Sequence, residues 1–383
     1  MTRTRRPLTA AALAAALLTA GCSASPPSAP IPPTGSGPAS VAPSPTSSAA
    51  AVTGWWRPAG AATTLTSGLA APWSVVPLAG GGALISERGD GTILELRADG
   101  SSRVAGTVPG VVSGGEAGLH GLALRSEGDR LWLYAYFGAQ DDNRVVRIPL
   151  TGEPGSLALG APEPILTGIH RAGNHNGGRI AFGPDGFLYV ATGDAGERDA
   201  AQDAASLNGK ILRLTPEGDA APGNPFGTAV WTLGHRNVQG LAWTSDGTMW
   251  ASEFGQNTWD ELNRIEPGTN YGWPLHEGVA GAAGFADPLA VWRPDEASPS
   301  GIAAVGDTVF VAGLRGQRLW IVDTDAGARR ADPVAALVGE QGRLRDAVAA
   351  PDGSLWVLTN NTDGRGSPRP GDDLLLRVPL ARG

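Results

Sequence analysis

The chain has 383 residues, a formal net charge of −8 and only 17% charged residues. No basic stripe runs through it, which argues against nucleic acid as a partner. Its sole cysteine, Cys22, rules out a disulfide within the chain, and the length allows one large β domain or two ordinary ones.

Residues 1–22 read as a targeting segment. Arg3, Arg5 and Arg6 form a positive start, and the Ala/Leu run from Leu8 to Leu18 is long enough for a signal core but short for a membrane span. The run ends in LTAGC, which resembles a bacterial lipobox with Cys22 as the lipidated first mature residue. The expectation is an extracytoplasmic lipoprotein at the cell membrane, held there through its N-terminal lipid only. Residues 23–52 are Ser, Pro, Ala and Gly-rich without a single charge and read as a disordered tether. Residues 53–383 form the folded domain.

In that domain one pattern recurs at roughly fifty-residue intervals, a spacing typical of propeller blades. A Gly- or Asp-Gly-containing turn leads into an apolar strand carrying an aromatic or branched residue. The copies are GGGALISE, GDRLWLYAYF, PDGFLYVATG, SDGTMWASEF, GDTVFVAGL and PDGSLWVLTN. Each has a partner strand downstream: ILEL, RVVRIPL, KILRLT, ELNRIE, RLWIVD and LLLRVPL. The Asp-Gly pairs suit tight hairpin turns. Six hairpin units and no sustained helical periodicity predict an all-β fold, a six-bladed β-propeller. A two-domain β-sandwich and a seven-bladed propeller with one degenerate blade are the alternatives. A strand near Ala61–Thr66 is expected to pair with LLLRVPL and close the ring.

Between these strands lie dense polar segments. HNGGRIAFGPDGFLYVATGD runs from His175 to Asp194, GHRN from Gly234 to Asn237, SEFGQNTWDE from Ser252 to Glu261, NYGWP from Asn270 to Pro274, and GRLRD from Gly342 to Asp346. Such residues at strand ends, spread over much of the chain, point to one site assembled by several repeated units. A neutral His175 can take a hydroxyl proton. Arg343 and Arg345 alternate along a strand and face one side, where two guanidiniums need an anionic partner. Lys210, the one lysine against 28 arginines, reads as a solvated strand start. His120 reads as packing, and Trp73, Trp231, Trp259 and Trp292 offer aromatic faces for stacking.

With GEAGLHGLAL (Gly115–Leu124), LNGKILRLTPEG (Leu207–Gly218) and GRLRDAVAAPDGSLWVLT (Gly342–Thr359), these segments in this order resemble the soluble PQQ-dependent sugar dehydrogenases, the glucose/sorbosone and aldose sugar dehydrogenase family. The resemblance covers roughly residues 61 to 380. It implies oxidation of the anomeric hydroxyl of an aldose to a lactone, with His175 as general base and Asp194, nineteen residues on, orienting it. Arg236 would face the quinone oxygen, and Asn237, Arg315, Arg343 and Arg345 would hold PQQ, a planar tricarboxylate. Arg315 stands where the family usually has lysine, a swap that is not neutral at a fitted site. The carbonyls of Gly255 and Gln256 would hold calcium against PQQ, although the family often has Gly-Pro there. Glu261 and Tyr271 resemble a second calcium site, and Glu116 lies near the sugar. The implied partners are an aldose and an unidentified electron acceptor, and the chain is expected to be a monomer. Two other readings compete: a binding propeller that has lost PQQ, and a calcium-dependent lactonase propeller.

Overall fold

The computed structural model describes residues 53–383. The expected signal segment (1–22) with Cys22 and the tether (23–52) lie outside the described residues. Six antiparallel sheets stand around a central axis as the blades of a β-propeller. Blade 1 comprises Pro72–Pro77, Ala83–Glu87, Thr92–Leu96 and Ser102–Thr107. Blade 2 comprises Leu119–Glu127, Arg130–Gly138 and Asn143–Thr151, with Ala158–Leu159 and Glu163–Ile169 along its outer edge. Blade 3 is built from Ile180–Phe182, Leu188–Ala191, Lys210–Leu214 and Val230–Leu233. Blade 4 has Val238–Trp243, Met249–Glu253, Asp260–Ile265 and Ala290–Trp292. Blade 5 has Pro299–Val305, Thr308–Gly313 and Arg318–Asp325, edged by Ala328–Arg329 and Val334–Ala336.

Blade 6 joins the two ends of the described chain. Leu344–Ala349, Leu355–Thr359 and Leu375–Val378 are completed by Thr63–Thr66, which pairs antiparallel with Leu375–Val378 (Thr64 opposite Leu376). The expected closure is therefore present. A second clasp lies beside it: Trp56–Pro58 pairs with Leu380–Arg382, and Arg57 forms a two-pronged ion pair with Asp323 of blade 5 (2.7 and 2.5 Å).

The six recurring segments are all second strands of blades, and their partners are all third strands. The turns between first and second strands follow the expected chemistry. At Asp185-Gly186 the aspartate Oδ1 accepts the N–H of Phe187 (3.2 Å) while Gly186 takes a positive φ of 78°. Asp246 and Asp352 grip their turns in the same way. The second strands are buried on both faces; Ala83–Glu87, Met249–Glu253 and Leu355–Thr359 have no exposed residue. Each blade is flanked by two others, so apolar layers form on both sides, such as Leu84, Ile93, Leu119 and Leu133 between blades 1 and 2. Among the described residues helix is limited to one short 3-10 turn, Arg198–Ala201, and none is long and apolar enough to cross a membrane.

Lys210 is a correction to the reading of a solvated strand start. It is completely buried, and its Nζ donates to the carbonyls of Ala200 (2.7 Å), Ala201 (3.1 Å) and Asn208 (2.7 Å). The 3-10 turn folds back over the start of the third strand and its carbonyls supply the cage. Burial pulls the amine down to about 8, and the carbonyl dipoles favour the charged form.

A chain beginning at Gly68 would leave Leu375–Val378 as an open edge. Its thermal midpoint should fall by roughly 5 °C or more, with self-association visible in light scattering. An unchanged midpoint would mean that the ring holds without its closing strand.

Candidate active site

The first strand of each blade begins near the propeller axis, and the loops ahead of these strands meet at one end of it. His175 lies in such a loop ahead of Ile180–Phe182, in a left-handed conformation (φ 52°). Two contacts fix its backbone: its N–H donates to Glu116 Oε2 (3.0 Å), and the N–H of Gly177 donates to Asn237 Oδ1 (3.0 Å). Gly193 packs so closely that a Cβ there would overlap the His175 carbonyl oxygen. The imidazole Nδ1 lies 2.8 Å from Asp194 Oδ1, and Nε2 lies 2.8 Å from Arg236 Nη2. Arginine only donates, so Nε2 is the accepting nitrogen and Nδ1–H donates to the carboxylate. This tautomer leaves the lone pair on Nε2.

Asp194 is fully buried. It also accepts from Gly196 N–H (2.8 Å) and from Trp273 Nε1 (2.8 Å). Burial opposes its ionisation, but the His175, Gly196 and Trp273 hydrogen bonds outweigh it and hold the carboxyl below its ordinary value. Arg236 is anchored by Nη1 to the carbonyls of Phe254 (3.1 Å) and Gly255 (2.6 Å).

Beside this group opens a cavity of about 350 Å³. Five arginines line it, Arg88, Arg315, Arg343, Arg345 and Arg365, with Trp73, Glu116, Asn237 and Phe254 among the rest of its wall. Glu116 Oε1 accepts from Arg365 (2.7 Å), and Asp363 lies 3.0 Å from Arg343 and 3.7 Å from Arg345. Burial opposes the ionisation of Glu116, but Arg365 and the His175 N–H bring it below the usual carboxylate value. Burial pulls Arg345 down to about 9; Asp363 counters this, while Arg88 and Arg343 add to it. Its Nε is buried without a hydrogen-bond partner. The wall is thus short of negative charge.

A smaller cavity of about 10 Å³ lies behind Arg236, lined by Glu253, Glu261, Glu277, Tyr271 and Trp273 among others. Burial, and then Glu253, push Glu261 up to about 8. Glu277 Oε1 gathers the consecutive N–H groups of Gln256, Asn257, Thr258 and Trp259 at 2.7 to 3.2 Å. His235 is buried between Glu253 (2.8 Å) and Thr232 (2.9 Å) and stacks on Tyr271.

The Glucose / Sorbosone dehydrogenase family profile matches residues 69–377. The chain belongs to this family. The PQQ-bound aldose sugar dehydrogenase of Streptomyces coelicolor is 49% identical, with a TM-score of 0.81 over 85% of this chain and 100% of that one. The aldose sugar dehydrogenase YliI of Escherichia coli is 29% identical over 76% of this chain and 88% of its own length. Quinoprotein glucose dehydrogenase B of Acinetobacter calcoaceticus is 30% identical over 53% of this chain and 50% of its own. Membership places the chain in a family of sugar-oxidising oxidoreductases.

Set against that family pattern, His175, Asp194 and Arg236 form one hydrogen-bonded chain, and Asn237, Arg315, Arg343, Arg345 and Glu116 all line the large cavity. Glu261 and Tyr271 share the small one. Gly255 lines the small cavity with Glu261 and Tyr271, whereas Gln256 lines neither cavity. The Gly255 carbonyl accepts from Arg236, and Gln256 is exposed. Of the four tryptophans considered for stacking, Trp73 alone lines the cavity, and His120 packs against its face as expected (4.9 Å, 19°). Sequence reasoning missed Arg88, Asp363, Arg365 and Trp273. Arg88 directly follows its second strand, as Phe254 does in blade 4, while Arg365 lies in the longer loop after Leu355–Thr359.

His120, stacked between Trp73 and Tyr136 with Nε2 donating to the Glu116 carbonyl (2.8 Å), is pulled to about 3 by burial, against 6.5 in the unfolded chain. The unfolded chain therefore takes up a proton that the folded chain refuses. This contribution is complete above pH 6.5 and is lost as pH falls towards 3, on the order of a few kcal/mol. Thermal midpoints of wild type should fall more steeply from pH 6.5 to 4 than those of His120→Phe. Parallel slopes would show that His120 is not held neutral.

Proposed function

We propose that the chain is a PQQ-dependent aldose dehydrogenase that oxidises the anomeric hydroxyl of a sugar to the lactone. One observation carries the cofactor assignment. Five guanidiniums line the cavity, while Glu116 and Asp363 are the carboxylates in contact with them. Three positive charges are left over, and PQQ brings three carboxylates. The orphaned Arg345 Nε supports the same fit. Arg315, Arg343 and Arg345 would hold the carboxylates, and Asn237 and Arg236 the polar edge. Arginine at position 315 supplies the same charge as the family's usual lysine.

When bound, PQQ supplies the two-electron acceptor that takes the anomeric hydrogen as hydride. The chain's own residues handle the proton. His175 Nε2 carries the lone pair that would take the hydroxyl proton once Arg236 Nη2, which donates to it here (2.8 Å), turns away towards the bound cofactor. Asp194 fixes the tautomer through Nδ1–H, and Trp273 and Gly196 fix Asp194. Glu116 holds the His175 main chain, so it positions the base as well as lining the sugar's approach.

Calcium is proposed beside Glu261 and Tyr271. There the buried Glu261 carboxyl, pushed up to about 8 by burial and then by Glu253, offers a hard oxygen donor whose charged form a cation would stabilise. Among the described residues no cluster of three or more His, Cys, Asp or Glu forms a metal cage, so main-chain oxygens would complete the set. The Gly255–Gln256 position fits calcium less well, because the Gly255 carbonyl already faces the cationic Arg236. No step is assigned to calcium there. The leader ending at Cys22 supports export and lipid anchoring, with electrons passing to an acceptor outside the cytoplasm and a monomer as the working unit.

Titration of the purified chain with PQQ, with and without calcium, followed by dye reduction with a panel of aldoses, tests this reading. Saturable binding with turnover is expected; a folded chain that binds no PQQ favours the recognition-propeller reading. His175→Ala should abolish dye reduction and keep PQQ binding, and loss of binding would remove the histidine from its role as base. Arg343→Ala should weaken PQQ by about 2 kcal/mol, roughly thirtyfold, whereas unchanged affinity would place that guanidinium off the cofactor.

A further inference from the structure

The residue that starts the apolar run of each first strand is preceded by one that points towards the propeller axis. Around the ring these are Ser74, Gly121, Arg179, Gly240, Gly301 and Asp346. The pairing register shifts next to this position in blades 1, 2, 4, 5 and 6, a bulge that turns the residue inward. Three glycines and a serine leave the axis free for the remaining two side chains. Arg179 of blade 3 and Asp346 of blade 6, on opposite sides of the ring, meet there: Nη1 lies 2.9 Å from Oδ2, and both side chains are buried. A Cβ at Gly301 would overlap Asp346 Oδ1.

The tie touches the underside of the arginine-lined cavity. Arg179 Nε donates to the Gln239 carbonyl (2.8 Å), Nη1 also reaches Ser74 Oγ (3.2 Å), and the guanidinium lies 4.5 Å from the Trp73 ring centre. Asp346 Oδ2 accepts from Val75 N–H (3.2 Å). Trp73, Gln239 and Arg345, each one residue ahead of Ser74, Gly240 and Asp346, line the cavity, and Arg345 Nη1 donates to Gln239 Oε1 (2.9 Å). At the other end of the first strands lies a separate cavity of about 370 Å³ with a mainly apolar wall, including Trp56, Trp243, Ala304, Val305 and Ala350.

We infer that Arg179 and Asp346 are positioning residues, a cross-channel tie that sets the floor of the cofactor cavity. A hydrophobic pair could fill the same volume and pack on the Trp73 ring, but it could not hydrogen-bond the Gln239 carbonyl or Ser74 Oγ or place a cation over Trp73. Arg345 and Gln239 would then lose their register with the bound group. The inference rests on the reading of the large cavity as the PQQ site.

The test uses the full chain. PQQ affinity is measured by absorbance titration, alongside kcat, sugar KM and the thermal midpoint, in wild type, Asp346→Asn and the double variant Arg179→Met with Asp346→Leu. Hydrophobic replacement of a buried ion pair commonly restores stability. The double variant should therefore keep a midpoint near wild type but bind PQQ about tenfold or more weaker, with kcat reduced and sugar KM little changed. Asp346→Asn should weaken PQQ in the same direction. Wild-type PQQ affinity and kcat in either folded variant would overturn the inference, since the pair would then only fill the channel. If Asp346→Asn fails to fold, the double variant decides. If wild type itself binds no PQQ, the cofactor reading fails, and the tie is then judged by whether the double variant alters the Trp73 contribution to fluorescence, taken as the difference between each chain and its Trp73→Phe counterpart; an unaltered difference would overturn it.

Discussion

Closure of the ring is the constraint on which everything else rests. A sheet left open would splay, and its first strands would not share an axis. Pairing Thr63–Thr66 with Leu375–Val378 places both ends of the domain in blade 6, and the first strands of neighbouring blades then pack against one another around the whole circle. Their leading ends converge on one side. Trp73, Glu116, His175, Asn237, Ser298 and Arg343 all sit at or just ahead of a first strand. Residues more than 200 positions apart in sequence, such as Glu116 and Arg365, come to lie 2.7 Å apart.

The electrostatics of the site divide into two parts. On one side, Asp194 is satisfied by three donors and its charge is fully used in orienting His175. On the other, the arginine wall is only partly neutralised, and in a buried setting like charges at close range are costly without an anion. A wall of this kind is stable when occupied and strained when empty. The protein limits that strain internally: Asp363 is held below its ordinary value by Arg343 and Arg345 despite the opposing effect of burial, and Glu116 covers the exposed Arg365. Under the proposed reading, affinity for a polyanion and tolerance of the empty state are therefore set by the same two carboxylates.

Much of this was legible in the sequence because the fold repeats. Second strands are buried on both faces and begin at Asp-Gly or Gly turns, so they stand out as apolar runs, and third strands follow at fixed distance. Fourth strands, such as Ser102–Thr107 and Val334–Ala336, lie on the outer rim, where little burial constrains their residues, and they leave no pattern. The site residues on first-strand loops were readable as motifs. Arg88, Asp363 and Arg365 were not, because they come from the loops between second and third strands, where each blade differs in length. Lys210 was misread for a related reason: a lysine next to a turn is ordinarily solvated, and only the return of residues 198–201 over the strand buries it.

Gly255 illustrates how a local motif can mean something other than its first reading. The loop Phe254–Trp259 carries four consecutive N–H groups turned onto Glu277. With its donors committed on that side, the carbonyls of Phe254 and Gly255 are free to face Arg236, which takes both. Gly255 must be glycine because a Cβ would overlap the Trp259 carbonyl oxygen as the loop folds back. The loop thus offers its carbonyls to a guanidinium, whose other arm reaches His175 Nε2, so the placement of the Nε2 lone pair depends on a carboxylate two contacts away. Glu277 touches neither His175 nor the large cavity, yet through the loop and Arg236 it bears on where the imidazole can point.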